Sequence, residues 1–128
     1  MNNIERFLTS AHSCAILSDG VGPQRQFRLG SVLVEKRRVI SSGRNSYATN
    51  KFLGKFYQWP FMHAEADAIF RCGFERAEGC TLYVVRLQKN GNRALSKPCE
   101  SCFSLLQYSR VKKVIYSIDN VQYGELKI

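Results

Sequence analysis

No run of apolar residues approaches the roughly 18 that a membrane-spanning helix needs, and no charged-then-apolar leader opens the sequence. Neither a span nor a secretory signal is expected, and the cytoplasm is the expected location. A disulfide framework is missing too: the cysteines number five, an odd count, and Cys14, Cys72 and Cys80 show no framework spacing. Reduced thiols and metal ligation suit these cysteines better. With 128 residues there is no room for a second large unit, so residues 1–128 are expected to form one domain that buries about 70% of its unfolded surface.

Acids are scarce. Ten Asp and Glu stand against nineteen Lys and Arg, a formal charge of +9. Residues 21 to 60 hold eight bases and one acid, Glu35, and residues 86 to 113 hold seven and one, Glu100, whereas the stretch around His63 is acidic on balance. Basic segments flanking a less basic centre point to a phosphate-bearing ligand, a nucleotide or a polynucleotide, although a charge of this size also serves solubility alone.

Apolar residues Ile4, Phe7, Leu8, Ala11, Cys14 and Ala15 recur at helical spacing and predict an amphipathic helix over 3–17, with His12 off its apolar stripe. Gly20-Val21-Gly22-Pro23 ends it. Two β-rich runs, 27–35 and 39–43, flank the charged turn Lys36-Arg37-Arg38 and read as a hairpin. Residues 44–62 keep no period and read as a long substrate-facing loop rich in aromatics and bases: Lys51, Phe52, Lys55, Phe56, Tyr57, Trp59 and Phe61. A helix over 62–73, a strand over 80–88, a polar loop turning at Asn90-Gly91, a helix opened by Pro98 and a strand over 111–118 follow. Alternating strands and helices imply some parallel pairing. Only ten residues follow Ile118, too few for a parallel crossover, so a strand over 123–128 must return antiparallel through Asp119-Asn120.

Two fragments carry chemistry: His63-Ala64-Glu65, and Pro98-Cys99-Glu100-Ser101-Cys102. One imidazole and two thiolates suit a zinc ion (Zn2+), and three protein ligands leave its fourth tetrahedral position open to water or substrate. Either half alone is weak: Cys-x-x-Cys also serves redox chemistry, and His-x-Glu arises by chance. A closed structural site would need another thiolate. Cys72 lies nine residues along the predicted helix from His63, about 13 Å away, and cannot supply it; Cys80 is harder to set aside.

In this order, with proline before the first cysteine, the fragments reproduce the H-x-E…P-C-x-x-C signature of zinc deaminases. From about Arg28 to Ile118 the sequence resembles the cytidine/deoxycytidylate deaminase superfamily. Ser42-Gly43-Arg44-Asn45, His63 to Ala68, Leu82-Tyr83-Val84-Val85 and Ser96-Lys97-Pro98-Cys99 look most like its small deoxycytidylate-deaminase-like members. The resemblance implies an α/β, three-layer cytidine-deaminase-like fold: a central mixed sheet of four to five strands flanked by about three helices. Histidine as the first ligand is typical of the deoxycytidylate, tRNA-adenosine and polynucleotide branches, whereas a short antiparallel return at the end looks more like the free-nucleoside branch.

The resemblance also implies roles. His63, Cys99 and Cys102 would hold zinc, and Glu65 would shuttle protons without ligating. Ala64 and Cys99, at helix N-termini, would direct backbone N–H groups at developing charge. Asn45 would contact sugar and base, or else cap a turn; Trp59 and Phe61 would stack on a base, or else cover the core. Lys97 joins the substrate-binding set, with Arg25, Arg44, Lys51 and Lys55 as further phosphate partners. The expected activity is hydrolytic deamination of cytosine in a free pyrimidine nucleotide, most plausibly deoxycytidylate. Two other readings are cytosine (less readily adenine) deamination in single-stranded nucleic acid held by the basic loops, and a catalytically silent nucleotide- or nucleic-acid-binding regulator. Family members often assemble as dimers or tetramers.

Overall fold

A computed structural model of the protein describes residues 3–47 and 62–128. The long loop's Lys51, Phe52, Lys55, Phe56, Tyr57, Trp59 and Phe61 lie outside the described residues. Helix α1 (Asn3–Ile16) precedes a 3-10 turn at Pro23–Arg25 and the strands β1 (Arg28–Glu35) and β2 (Arg38–Arg44). Helices α2 (Ala64–Cys72) and α3 (Phe74–Ala77) follow, then β3 (Thr81–Leu87), β4 (Arg93–Ala94), α4 (Glu100–Tyr108), β5 (Lys113–Ser117) and β6 (Tyr123–Lys127).

The sheet order is β2-β1-β3-β5-β6, with β4 pairing β3. Pairing is antiparallel except between β3 and β5, which run parallel because α4 carries the chain from one to the other. The last strand returns antiparallel on β5, as its short connection requires. Asp119 closes that turn by accepting the N–H groups of Val121 and Gln122, at 2.8 and 2.7 Å. The β1–β2 turn is tighter than three residues: Glu35 pairs with Arg38, so Lys36 and Arg37 alone make the corner, both at positive φ.

Alternation along the strands builds two cores. Val32, Val34, Tyr83, Val85 and Leu87 pack with Phe7, Leu8, Ala11 and Ala15 of α1 on one face. Leu33, Leu82, Val84 and Val114 pack on the other with Ala66, Ala68 and Ile69 of α2 and Cys102, Leu105 and Leu106 of α4. Burying each large aliphatic side chain contributes about 1.5–3 kcal/mol. The result is three layers: α1, the sheet, and α2 with α4.

Three features depart from the sequence reading. Helix α4 starts at Glu100 rather than Pro98, because Cys99 stays extended (φ −71°, ψ 171°) as its N-cap. The polar loop after β3 contains β4, whose two pairs with Arg86 and Leu87 are too few to show a period. Helix α3 begins directly after Gly73, whose φ of 92° breaks α2 and starts a new turn.

Candidate metal centre and active-site cavity

Helix α2 is set on the sheet by its small residues. Ala64, Ala66 and Ala68 are fully buried, and Gly43 of β2 lies so close that a Cβ there would strike the Ala64 carbonyl oxygen and the Ala68 nitrogen. Ser31 donates to the Ala64 carbonyl at 2.8 Å, Ser41 to the Ala68 carbonyl at 2.6 Å, and the Arg44 N–H to the Asp67 carboxylate at 3.0 Å. The chain enters α2 through paired backbone hydrogen bonds between Ser46 and Met62, 3.1 and 2.8 Å. These ties fix His63, the N-cap of α2, whose imidazole makes no capping bond to its own helix.

The second arm is fixed from the sheet. Buried Ser96 donates to the Val84 carbonyl at 2.8 Å, and its oxygen accepts the Ser117 N–H at 2.8 Å. Ser117 donates in turn to the Ala94 carbonyl at 2.7 Å. The segment leading to Lys97, Pro98 and Cys99 is thereby pinned across β3 and β5.

These supports bring His63, Cys99 and Cys102 together, with donor atoms all within 4.8 Å of one another. His63 Nδ1 lies 3.8 Å from Cys99 Sγ and 3.3 Å from Cys102 Sγ. Zn–N and Zn–S bonds at the tetrahedral angle place nitrogen and sulfur about 3.6 Å apart, so the observed pair brackets what zinc requires. Hydrogen bonding to Cys102, with further help from His63 and the Cys102 N–H, outweighs burial and pulls the Cys99 thiol down to about 4. A thiolate is therefore ready at neutral pH, as ligation needs. Cys80 is not in this group, so among the described residues no third thiol closes the site.

Glu65 lies in the first turn of α2 and is only 3% exposed. Burial pushes its carboxyl up from the ordinary range, against the pull of the His63 charge and of hydrogen bonds from its own backbone and from Cys102. It shares with His63, Ala64 and Cys99 the wall of a cavity of about 370 Å³. Phe27, Leu29, Asn45, Arg86, Ser96 and Lys97 also line that cavity. Such a volume lies in the usual range for small-molecule sites.

The other expected contacts are distributed unevenly. Asn45 is buried and ties the framework: Nδ2 donates to the Phe27 carbonyl at 2.7 Å, while Oδ1 accepts the Leu29 N–H at 3.0 Å and the Ser18 hydroxyl. Lys97 is exposed on the cavity lining. Arg44 faces elsewhere, donating to the Leu17 carbonyl at 3.2 Å beside a separate depression, and Arg25 stacks on Tyr47. Sequence reasoning missed Arg86. Its signal was period two: Leu82, Val84 and Arg86 share a face of β3, which puts a guanidinium where the metal-side core continues.

Comparison with known proteins agrees with this geometry. The profile of the family described as "Cytidine and deoxycytidylate deaminase zinc-binding region" matches residues 1–118. A deoxycytidylate deaminase of Mycobacterium phage D29 is 27% identical over 131 aligned positions, covering 88% of this chain and 91% of the phage protein. A tRNA-specific adenosine deaminase of Aquifex aeolicus is 30% identical over 100 positions, 75% of this chain but 55% of that protein. The solved cytidine deaminase of Burkholderia pseudomallei superposes with a TM-score of 0.68 at 16% identity, over 96% of this chain and 91% of the other. Some matched structures are much longer, the chain spanning 28% of one.

Proposed function

Since the chain belongs to the cytidine and deoxycytidylate deaminase zinc-binding family, we propose that it deaminates cytosine in a free nucleotide, converting deoxycytidylate and water to deoxyuridylate and ammonia. The observation that carries this is one cavity lined by His63, Cys99 and buried Glu65, with the third donor, Cys102, buried directly behind the first two. Zinc, held by those three residues, supplies an acidified water at neutral pH. Glu65 takes one proton from the attacking water and passes it to the ring nitrogen beside the reacting carbon, then takes the second from the new hydroxyl as the carbonyl forms and delivers it to the leaving amine. Its raised affinity for a proton suits a group that must both accept and return one. Backbone N–H groups at the start of α2, from Ala64, stabilise charge at the reacting carbon.

The substrate assignment rests on cavity size and charge. About 370 Å³ suits one nucleotide, and the lining offers the cations Arg86 and Lys97 to its phosphate. Asn45 holds the cavity wall, and Lys97 meets the ligand from the rim. Deamination within a single strand is the second reading, favoured by the tRNA-specific relative.

The test is ammonia release by the zinc-loaded protein from nucleosides, nucleotides and oligonucleotides. Preferred turnover of deoxycytidylate supports the first reading. Base conversion in a strand with no action on the monomer replaces it with the second. No turnover on any substrate would leave the chain a silent binder.

A further inference from the structure

Arg86 presents an unusual charge. On the metal-side face of β3, its Nε is buried and, among the described residues, has no hydrogen-bond partner. None of the ion pairs among those residues involves it. The guanidinium instead lies over the Phe27 ring, its Cζ 4.7 Å from the centroid. Val21, Pro23, Phe27, Leu29 and Leu95 give the surrounding cavity a largely apolar lining. A guanidinium is always charged, and this one is half-buried, with its Nε shut off from water and no ion-pair partner among the described residues, so an anion entering the cavity would meet an uncompensated charge.

The backbone around Arg86 is fixed. Its N–H donates to Ser117 at 3.3 Å, and its register pairs it with Leu29 of β1 and Ala94 of β4. Phe27 restrains the side chain from one side. A planar donor fork held this way suits the two oxygens of a phosphoryl group better than one carbonyl oxygen.

We infer that Arg86 determines specificity in this cavity by receiving the substrate's phosphate, so that the site selects nucleoside monophosphates over nucleosides. The inference deepens the proposed function and rests on its placement of substrate in this cavity. Arg86 is a binding residue here; the proton chemistry belongs to Glu65.

The experiment separates phosphate recognition from base chemistry. Calorimetry on the zinc-loaded protein measures binding of deoxyuridylate, deoxyuridine, adenylate and adenosine; kinetics measures turnover of deoxycytidylate and deoxycytidine. Wild type should bind each monophosphate at least tenfold more tightly than its nucleoside. Arg86→Gln should abolish that gap, leave nucleoside binding within about threefold, and act on deoxycytidylate mainly through KM. Arg86→Lys should keep part of the preference. Should Arg86→Gln fail to fold, Arg86→Lys decides: its flexible point charge must narrow the gap by at least threefold. An unchanged gap in either folded variant overturns the inference. So does parallel loss for nucleoside and monophosphate, which would mean a base contact or a purely structural role. If wild type prefers monophosphates in binding yet leaves cytosine intact, the deamination reading fails while the role of Arg86 stands.

Discussion

Ser96 and Ser117 meet at the point where the parallel strands β3 and β5 end, their hydroxyl oxygens 2.9 Å apart and the Ser96 oxygen accepting the Ser117 N–H at 2.8 Å. The Ser96 N–H adds a 2.9 Å bond to the Ser117 carbonyl. This junction is three residues from Cys99, so it transmits the rigidity of the sheet to the metal-binding arm.

Ser96→Ala should therefore cost more than a surface change. It strands the buried Ser117 N–H and Val84 carbonyl, a penalty of about 1–3 kcal/mol. Denaturant unfolding should show that loss, and zinc affinity should fall with it. A neutral effect would mean that the arm is held some other way.

Glu65→Ala should leave the donor set intact while stopping turnover. Zinc content is expected to stay near one per chain by elemental analysis, and turnover to fall by about 10²–10⁴-fold, as for other general acid–base groups. Cys102→Ala should do the reverse, lowering zinc content and thermal stability together, because metal binding is coupled to folding. Loss of zinc in Glu65→Ala would make the carboxylate a ligand.

The thiols should separate by reactivity in metal-free protein. Cys99 is pulled down to about 4, so its thiolate is present above that pH and lost as pH falls through it. Burial pushes Cys72 and Cys80 up, which keeps them protonated. Iodoacetamide near pH 6, read by peptide mass mapping, should modify Cys99 first, and zinc should suppress the reaction. By the same sign, zinc should be released as pH drops toward about 4 and protons compete for the Cys99 sulfur. Earlier modification of Cys72 or Cys80 would contradict the arrangement.

Salt dependence should distinguish the substrates. A nucleotide offers one phosphate, so affinity for deoxycytidylate should vary little with salt. A strand contacted at Z phosphates gives a log–log slope of about −0.7Z, near −3 for four contacts. A steep slope with strand conversion would favour the polynucleotide reading.

Much of the fold was legible because its signals are local. The apolar run of β3, the helical period of α1 and the shortness of the last connection each rest on neighbouring residues. The donor set was legible through its spacing on two helix starts. The Ser96–Ser117 junction was not, since 21 residues separate two small polar side chains that any loop could carry. Asn45 shows the same limit: its three framework partners come from segments 16 to 27 residues away. Arg86 was legible in principle, but a guanidinium near a strand end reads as surface until the opposite wall of its cavity is known.

Among the described residues β2 and β6 are the outer strands of the sheet, and both carry charge. Arg38 and Arg44 sit at the ends of β2, and Glu125 and Lys127 alternate along β6, with Glu125 paired to Lys113 at 3.1 Å. Another strand adding to either side would have to approach these charges, so the outer strands themselves resist edge-to-edge aggregation. The short final hairpin thus gives the parallel pair at the sheet's centre a polar border against self-association into fibrils.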